Sequence, residues 1–322
     1  MVAVSDRLVT VFGGSGFIGR HAVRALARRG YRIRVAVRRP DLAQYLMTAG
    51  AVGQVTAVQA NLRYPDSVEA AVEGADAVVN LVGIMHQRGR NSFEAAQAFG
   101  AGAVARAAKA AGAAALVHVS AIGADKASAS AYAVSKAKGE EAVLAAFPQA
   151  AVLRPSVVFG PEDDFFNRFA AMAQISPVLP LIGGGETKFQ PVFAGDVAEA
   201  IAAGVDGRLA PGTTYELGGP DVMSFREVLE FVLKVTQRSR ILLPLPFGVA
   251  GLLARVAQYA PKPPLTPGQV TLLRSDNVVS AKAAAEKRTL EGIGIAPASA
   301  AAEVPAYLWR FRKAGQFEKI TA

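Results

Sequence analysis

Leu8-Val9-Thr10-Val11-Phe12-Gly13-Gly14-Ser15-Gly16-Phe17-Ile18-Gly19-Arg20 decides how the rest of the chain is read. The first five residues are a short, apolar, β-branched run of the kind that makes a buried strand. A turn of glycines follows, and from Phe17 the pattern opens a helix. Glycine in that place tightens the turn, lets the backbone approach a pyrophosphate and lets the helix pack closely on the strand, while the first helical N–H groups face the anion. A glycine-rich string by itself is often only a turn. Set between a strand and a helix, Gly13, Gly14, Ser15, Gly16, Phe17, Ile18 and Gly19 are the expected seat of a dinucleotide pyrophosphate.

Working outward, β-branched runs alternate with helical stretches. Leu8–Phe12, Ile33–Val37, Val55–Val58, Ala77–Leu81 and Leu116–Ser120 read as strands, and Phe17–Arg29, Asp41–Ala49, Pro65–Val72, Ser92–Ala111 and Ala131–Ala146 as the helices between them. Continuous apolar strands separated by helices predict an α/β fold with a doubly wound parallel sheet covered on both faces. Ala151–Leu153 is a sixth strand, after which Pro, Gly and Phe become denser. The expected organisation is a nucleotide-binding domain over 1–154 and a smaller C-terminal lobe over 155–322. The two are interleaved, because Gln190–Ala203 and Thr214–Leu217 are expected to return to the sheet.

Composition agrees with a packed protein: of 322 residues, 52% are hydrophobic and 19% charged,. Cysteine is absent, which excludes disulfides and thiolate chemistry and fits a reducing compartment,. Met1–Phe12 has no basic opening and runs into the glycines, so it reads as a first strand rather than a secretory signal, and a cytoplasmic protein is expected. Ile241–Tyr259, the nearest candidate for a membrane span, is broken by Pro244, Pro246 and Arg255, so no span is expected,. Of the net charge of +9, residues 1–40 supply +8, with nine arginines against Asp6. That basic segment fits a solvated helix face with a phosphate site, or else an acidic partner or anionic membrane; without an aromatic-interleaved stripe it does not fit nucleic acid.

Nineteen residues beyond Gly19, where an NAD site commonly has an acid, stand Arg38 and Arg39. An acid repels a 2′-phosphate and a guanidinium clasps one, so NADPH is expected over NADH, the alternative being that Arg38 points to solvent beside Asp41. Asn61, after the third strand, is either an adenine contact or a turn former. Leu81, at the end of the fourth, and Val82 and Gly83 after it are expected to line the cofactor. Ser120 ends the fifth strand, and Tyr132 and Lys136 share one face of the following helix at i and i+4. A nearby ammonium favours the phenolate, so Tyr132 could exchange a proton with a carbonyl or alcohol while Lys136 holds the nicotinamide ribose and Ser120 orients the substrate oxygen. His21, His86 and His118 show no metal-ligand spacing, and no metal site is expected. Glu162-Asp163-Asp164 is better read as charge at a helix start, over Phe165–Ala173, than as paired catalytic carboxylates.

Together these residues resemble the extended short-chain dehydrogenase/reductase family, with its Rossmann-type sheet. The likeness continues through Leu153–Pro161, Gln190-Pro191-Val192, Asp196-Val197-Ala198 and Tyr215–Pro220, and so covers nearly the whole chain. It implies that Pro155 and Val158 touch the cofactor. The stretches 12–20, 118–125 and 135–140 are most similar to the atypical branch containing the NADPH-binding accessory subunit of respiratory complex I and its bacterial relatives. Only eleven residues separate Ser120 from Tyr132, too few for the substrate loop of sugar-nucleotide epimerases. The resemblance implies a tightly held NADPH that passes no electrons along the chain. It also implies a non-catalytic subunit beside the quinone-reducing module, peripheral on the cytoplasmic face of the inner membrane. The other reading is a free-standing NADP(H)-dependent oxidoreductase or isomerase for an apolar or quinone-related substrate. Phe247–Tyr259 and Trp309–Lys313 are expected either to dock on a membrane complex or anionic lipid headgroups, or to pack within the second lobe.

Overall fold

The structure is a computed structural model and describes residues 4–87, 89, 91–260 and 265–317; residues 1–3 of the expected opening segment lie outside these. In chain order the elements are β1 (Leu8–Phe12), α1 (Phe17–Arg28), β2 (Arg32–Val37), β3 (Val55–Gln59), α2 (Pro65–Val72), β4 (Ala77–Asn80), α3 (Gly100–Ala110), β5 (Ala115–Val119), α4 (Ala131–Ala146) and β6 (Ala151–Pro155). There follow β7 (Val158–Phe159), α5 (Phe166–Ile175), β8 (Val178–Ile182), β9 (Lys188–Phe189), β10 (Val192–Phe193), α6 (Ala194–Val205) and β11 (Thr214–Leu217). After them come β12 (Met223–Ser224), α7 (Phe225–Thr236), β13 (Ile241–Leu245) and α8 (Phe247–Ala257), with only short helical segments beyond among the described residues. Among the described residues no helix is long and apolar enough to cross a membrane.

The chain divides into two compact units, the first built from 1–155, 194–217 and 280–296. Its sheet has seven strands in the order β11-β6-β5-β4-β1-β2-β3, every neighbouring pair parallel. This is the doubly wound α/β sheet expected from the sequence. Val9, Val11, Val78, Val79 and Val117 are fully buried, each contributing on the order of 2 kcal/mol of apolar transfer. α1 packs on α6 with its Ala22, Val23, Ala25 and Leu26 buried, and Arg29 bridges to Glu199 at 2.5 Å and to Asp206 at 3.3 Å. α3 and α4 pack together on small residues, a Cβ added at Gly102 lying 3.2 Å from Ala142 Cβ, and one added at Gly139 would strike the Gln97 carbonyl in the turn before α3.

Three expected boundaries differ. Gln190–Ala203 was expected to return to the sheet, but Val192–Phe193 pairs with Val158–Phe159 in a separate two-strand ladder and Ala194–Val205 is helical. Val197, Ile201 and Val205 repeat at i, i+4 and i+8, the period of a helix; only Thr214–Leu217, with alternating burial, joins the sheet. Asp41–Ala49 winds as a 3₁₀ segment from Pro40 to Ala49. Ser92–Ala111 is interrupted by a π-helical turn at Glu94–Phe99 before α3 begins at Gly100.

The second unit comprises 156–193, 218–279 and 297–322. Its core is aromatic: Phe165 meets Phe166 and Phe169 edge-on at 5.2 and 5.5 Å, and Phe169 meets Phe225 at 5.3 Å,. In the acidic triplet, Asp163 is buried. It accepts from the amides of Gly160, Phe165 and Asn167 at 3.1, 2.9 and 3.0 Å and from the Tyr307 hydroxyl at 2.6 Å. It thus satisfies the start of α5, and burial together with its charge pushes the Tyr307 phenol upward. β13 pairs in parallel with β8, and α8 follows it with only Ala250 and Ala254 fully buried.

Candidate functional site

The glycine turn leaves β1 and enters α1. Gly13 has φ +76°, a left-handed conformation that favours glycine, and its N–H donates to Ala36 O at 3.2 Å,. A Cβ at Gly14 would sit 2.8 Å from Val35 Cγ1, and one at Gly19 would strike the carbonyl of Gly13. The turn is therefore closed by backbone approach that no larger residue permits. Gly16 caps α1 without a side-chain hydrogen bond and no acid occupies the first turn, so the helix start offers bare amides and positive potential to an anion. The Tyr45 hydroxyl donates to Ser15 O at 2.8 Å, and the Arg20 guanidinium lies 5.4 Å from the Tyr45 ring centroid. These glycines form the cradle that a pyrophosphate fits.

At the ends of β2 and β3 the two expected arginines part company. Arg39 is paired with Asp41 at 2.8 Å, which holds that carboxyl below the usual range. Arg38 Nη1 donates to Asn91 Oδ1 at 3.5 Å, and Arg63, which sequence reasoning missed, donates to the same oxygen at 2.8 Å. Two guanidiniums thus converge on one acceptor, an arrangement suited to a phosphate. Asn61 behaves as a turn former: its Oδ1 accepts from the Arg63 amide at 3.2 Å and its carbonyl from the Tyr64 amide at 2.8 Å.

Beyond β4, the Leu81 amide donates to Phe12 O at 3.0 Å and the Val82 amide to Asn80 Oδ1 at 3.1 Å. A Cβ at Gly13 would lie 3.3 Å from backbone atoms of both Leu81 and Val82, so the segment borders the glycine turn. A Cβ on Gly83 would be 3.2 Å from Lys136 Nζ. That ammonium is buried and donates to Val119 O at 3.2 Å; burial lowers it to about 8, with Glu140 pulling it back up. Tyr132, on the same face of α4, stacks edge-on to Phe93 at 5.9 Å, and burial pushes its phenol up to about 12. Ser120 lies one residue beyond β5; its Oγ is buried and, among the described residues, without a hydrogen-bond partner,. His118 faces Asn80 at 3.2 Å, and burial followed by the charge of Lys136 brings it down to about 3, so its ring stays neutral. His86 is exposed, and among the described residues no group of His, Asp and Glu could hold a metal.

Further groups brace this end. Ser135 Oγ donates to Gln97 Oε1, whose amide donates to Ile84 O at 2.6 Å, tying α4 to the loop after β4. Arg154 grips the buried Glu140 with bonds of 2.8 and 2.6 Å. The position of Glu140, one further turn along the Tyr132–Lys136 face, was the available signal for it; Arg154 had none. Pro155 ends β6 and its carbonyl accepts from the Ile122 amide at 3.0 Å. Val158 lies in the second unit, on β7 opposite Val192.

The family described as NAD dependent epimerase/dehydratase matches residues 9–218, from the first strand to the last of the seven-stranded sheet. The chain belongs to that family. A protein of Arabidopsis thaliana named NADH dehydrogenase (ubiquinone) 1 alpha subcomplex subunit 9, mitochondrial, is 37% identical over 290 residues, covering 86% of this chain and 72% of that protein. A ceramide reductase of Caulobacter vibrioides is 38% identical over 175 residues, 54% of either chain. Among solved structures, the NADPH-dependent quinone oxidoreductase QOR2 of Escherichia coli, complexed with NADPH, superposes with a TM-score of 0.73 at 18% identity, over 94% of this chain and 99% of that one. At that identity the superposition speaks for the fold.

Proposed function

We propose that this epimerase-family chain is an NADP(H)-binding accessory subunit of a respiratory NADH:ubiquinone oxidoreductase, held peripherally on the cytoplasmic face of the inner membrane, with its cofactor a structural element. The observation that carries the reading is 37% identity to the Arabidopsis subunit across 86% of the chain, both units included. The residues fit a dinucleotide: Gly13, Gly14, Ser15, Gly16, Phe17, Ile18 and Gly19 take the pyrophosphate, Arg38 and Arg63 the 2′-phosphate, and Leu81, Val82, Gly83 and Pro155 line the path to Ser120, Tyr132 and Lys136. Arg39, neutralised by Asp41, contributes little. Burial keeps the Tyr132 phenol neutral, up to about 12, so at neutral pH it is a poor base and is able to act as a hydrogen-bond or proton donor,. Mild detergent extraction followed by size separation tests this. Co-migration with the quinone-reducing assembly is expected, and Tyr132→Phe should leave the assembly's activity nearly unchanged while NADPH stays bound. A free monomer or dimer absent from that assembly overturns it.

A second reading has one observation in its favour, the identity to ceramide reductase over half the chain. Bound NADPH would supply a hydride to an apolar carbonyl. Ser120 would then hold the carbonyl oxygen, Tyr132 would deliver the proton to it, and Lys136 would keep that phenol oriented. This reading requires NADPH consumption by the isolated protein with a lipid-like ketone, abolished in Tyr132→Phe.

A further inference from the structure

We infer that the surface formed by α8, with the strand β13 that leads into it, docks on an anionic bilayer. α8 is turned inside out relative to an ordinary surface helix. Its inward side is Ala250 and Ala254, both fully buried, whereas Val249, Leu252, Leu253 and Val256 are 48%, 65%, 52% and 72% exposed. Those four sit at i, i+3, i+4 and i+7 and form one stripe. Tyr259, just past the helix, is 85% exposed. On β13, Ile241 and Leu243 are likewise exposed and, two residues apart, point to the same side,. Scattered apolar residues at a surface need no explanation, but a contiguous aliphatic stripe does.

Charge identifies the occupant. From 231 to 275 the chain carries Lys234, Arg238, Arg240, Arg255, Lys262 and Arg274 and not one Asp or Glu, in a protein with 26 acids. Lys262 lies outside the described residues. Of the others none is ion-paired among the described residues: Arg238 and Arg240 bond the carbonyls of Phe311 and Ala173, and Arg274 stacks on the Phe247 ring at 4.8 Å. A protein partner is met by a polar, hydrogen-bonding rim; the only polar side chains on 247–259 are Arg255, Gln258 and Tyr259. Eleven helical residues reach about 16 Å, too short to span a hydrocarbon core,. An aliphatic stripe with cations and an aromatic at its margin instead suits burial at the headgroup–acyl boundary of a membrane with anionic lipid. The inference deepens the peripheral placement proposed above and rests on neither the cofactor nor the choice between subunit and enzyme.

The test is co-sedimentation of the full chain with vesicles of phosphatidylcholine alone or mixed with phosphatidylglycerol. Binding is expected to the mixed vesicles and to weaken with salt. It should fall at least ~10-fold in Leu252→Gln/Val256→Gln and roughly fivefold in Arg255→Gln. All these positions are exposed, so circular dichroism and NADPH affinity should match the parent protein. Equal binding to neutral and anionic vesicles, or none to either, overturns the inference. So does a lipid-free dimer that the double substitution dissolves, since a second copy would then cover the face. Capture by a delipidated respiratory complex without vesicle binding overturns it in favour of a protein partner. None of these outcomes touches the nucleotide titrations, which stand or fall separately.

Discussion

α1 and α8 are nearly equal in length, both two-faced, and oriented in opposite ways. α1 sends Ala22, Val23, Ala25 and Leu26 into the interior and keeps Arg24 and Arg28 in water. α8 sends two alanines inward and leaves its branched aliphatics outside. Amphipathic spacing reports that a helix has two faces; which face turns inward depends on what the neighbours bury. α1 has a sheet and α6 to cover its stripe, with Glu199 and Asp206 meeting the basic residue at its end. α8 offers its stripe to something that is not in the chain's own core.

The largest effect should separate the two helices directly. Leu26→Ala empties a fully buried site and is expected to cost about 2–5 kcal/mol in urea unfolding,, whereas Leu252→Ala should stay within about 0.5 kcal/mol. A comparable loss at both sites breaks the comparison. Next comes the cation that α4, unlike α1, takes inside. Lys136 is lowered from its ordinary 10.5 to about 8 in the folded protein, so between those values the unfolded chain binds more protons. Stability therefore rises with pH across that window, by on the order of 3 kcal/mol, and the cost of burying the charge is fully present below it. Denaturant midpoints measured from pH 7.5 to 10.5 should show the rise, and Lys136→Met should remove it. Smaller again, Arg63→Ala should reduce NADPH affinity about tenfold and leave NADH nearly unchanged, while Arg39→Ala changes either by less than about twofold. Fluorescence titration with both nucleotides distinguishes them, and equal losses for both would remove Arg63 as a phosphate ligand. Smallest is Arg28→Ala: its bond to Glu199 is 3.4 Å long and exposed, so unfolding should shift by under about 0.5 kcal/mol,.

The sheet was legible because its inner strands β1, β4, β5 and β6 are buried nearly throughout and read as unbroken apolar runs between helices, with Leu8–Phe12, Pro65–Val72 and Ala131–Ala146 ending where the pattern ends. The glycine turn was legible because each glycine answers to a close approach, as Gly14 does to Val35. Arg63 was hidden because its role comes from converging with Arg38 on Asn91, across 28 residues of sequence, and chain order carries no such information. Arg39 looked equivalent to Arg38 until Asp41 claimed it. Gln190–Ala203 misled because a two-residue strand and a helix start, run together, look like one apolar segment. The acidic triplet was legible only as a helix start; that Asp163 also accepts the Tyr307 hydroxyl, 144 residues away, required the fold.

One feature of the topology bears on how the protein is made. The chain passes between its two units five times, at 155/156, 193/194, 217/218, 279/280 and 296/297. The edge strand of the nucleotide sheet, Thr214–Leu217, is therefore synthesised after residues 156–193 of the other unit, and the segment 280–296 after most of it. A ribosome that has released only the first 155 residues has delivered a sheet with β6 as an open, unpaired edge, the kind of surface that invites intermolecular strand pairing. Neither unit can be excised by a single cut, and β6 keeps its open edge until residues 214–217 have emerged to pair with it.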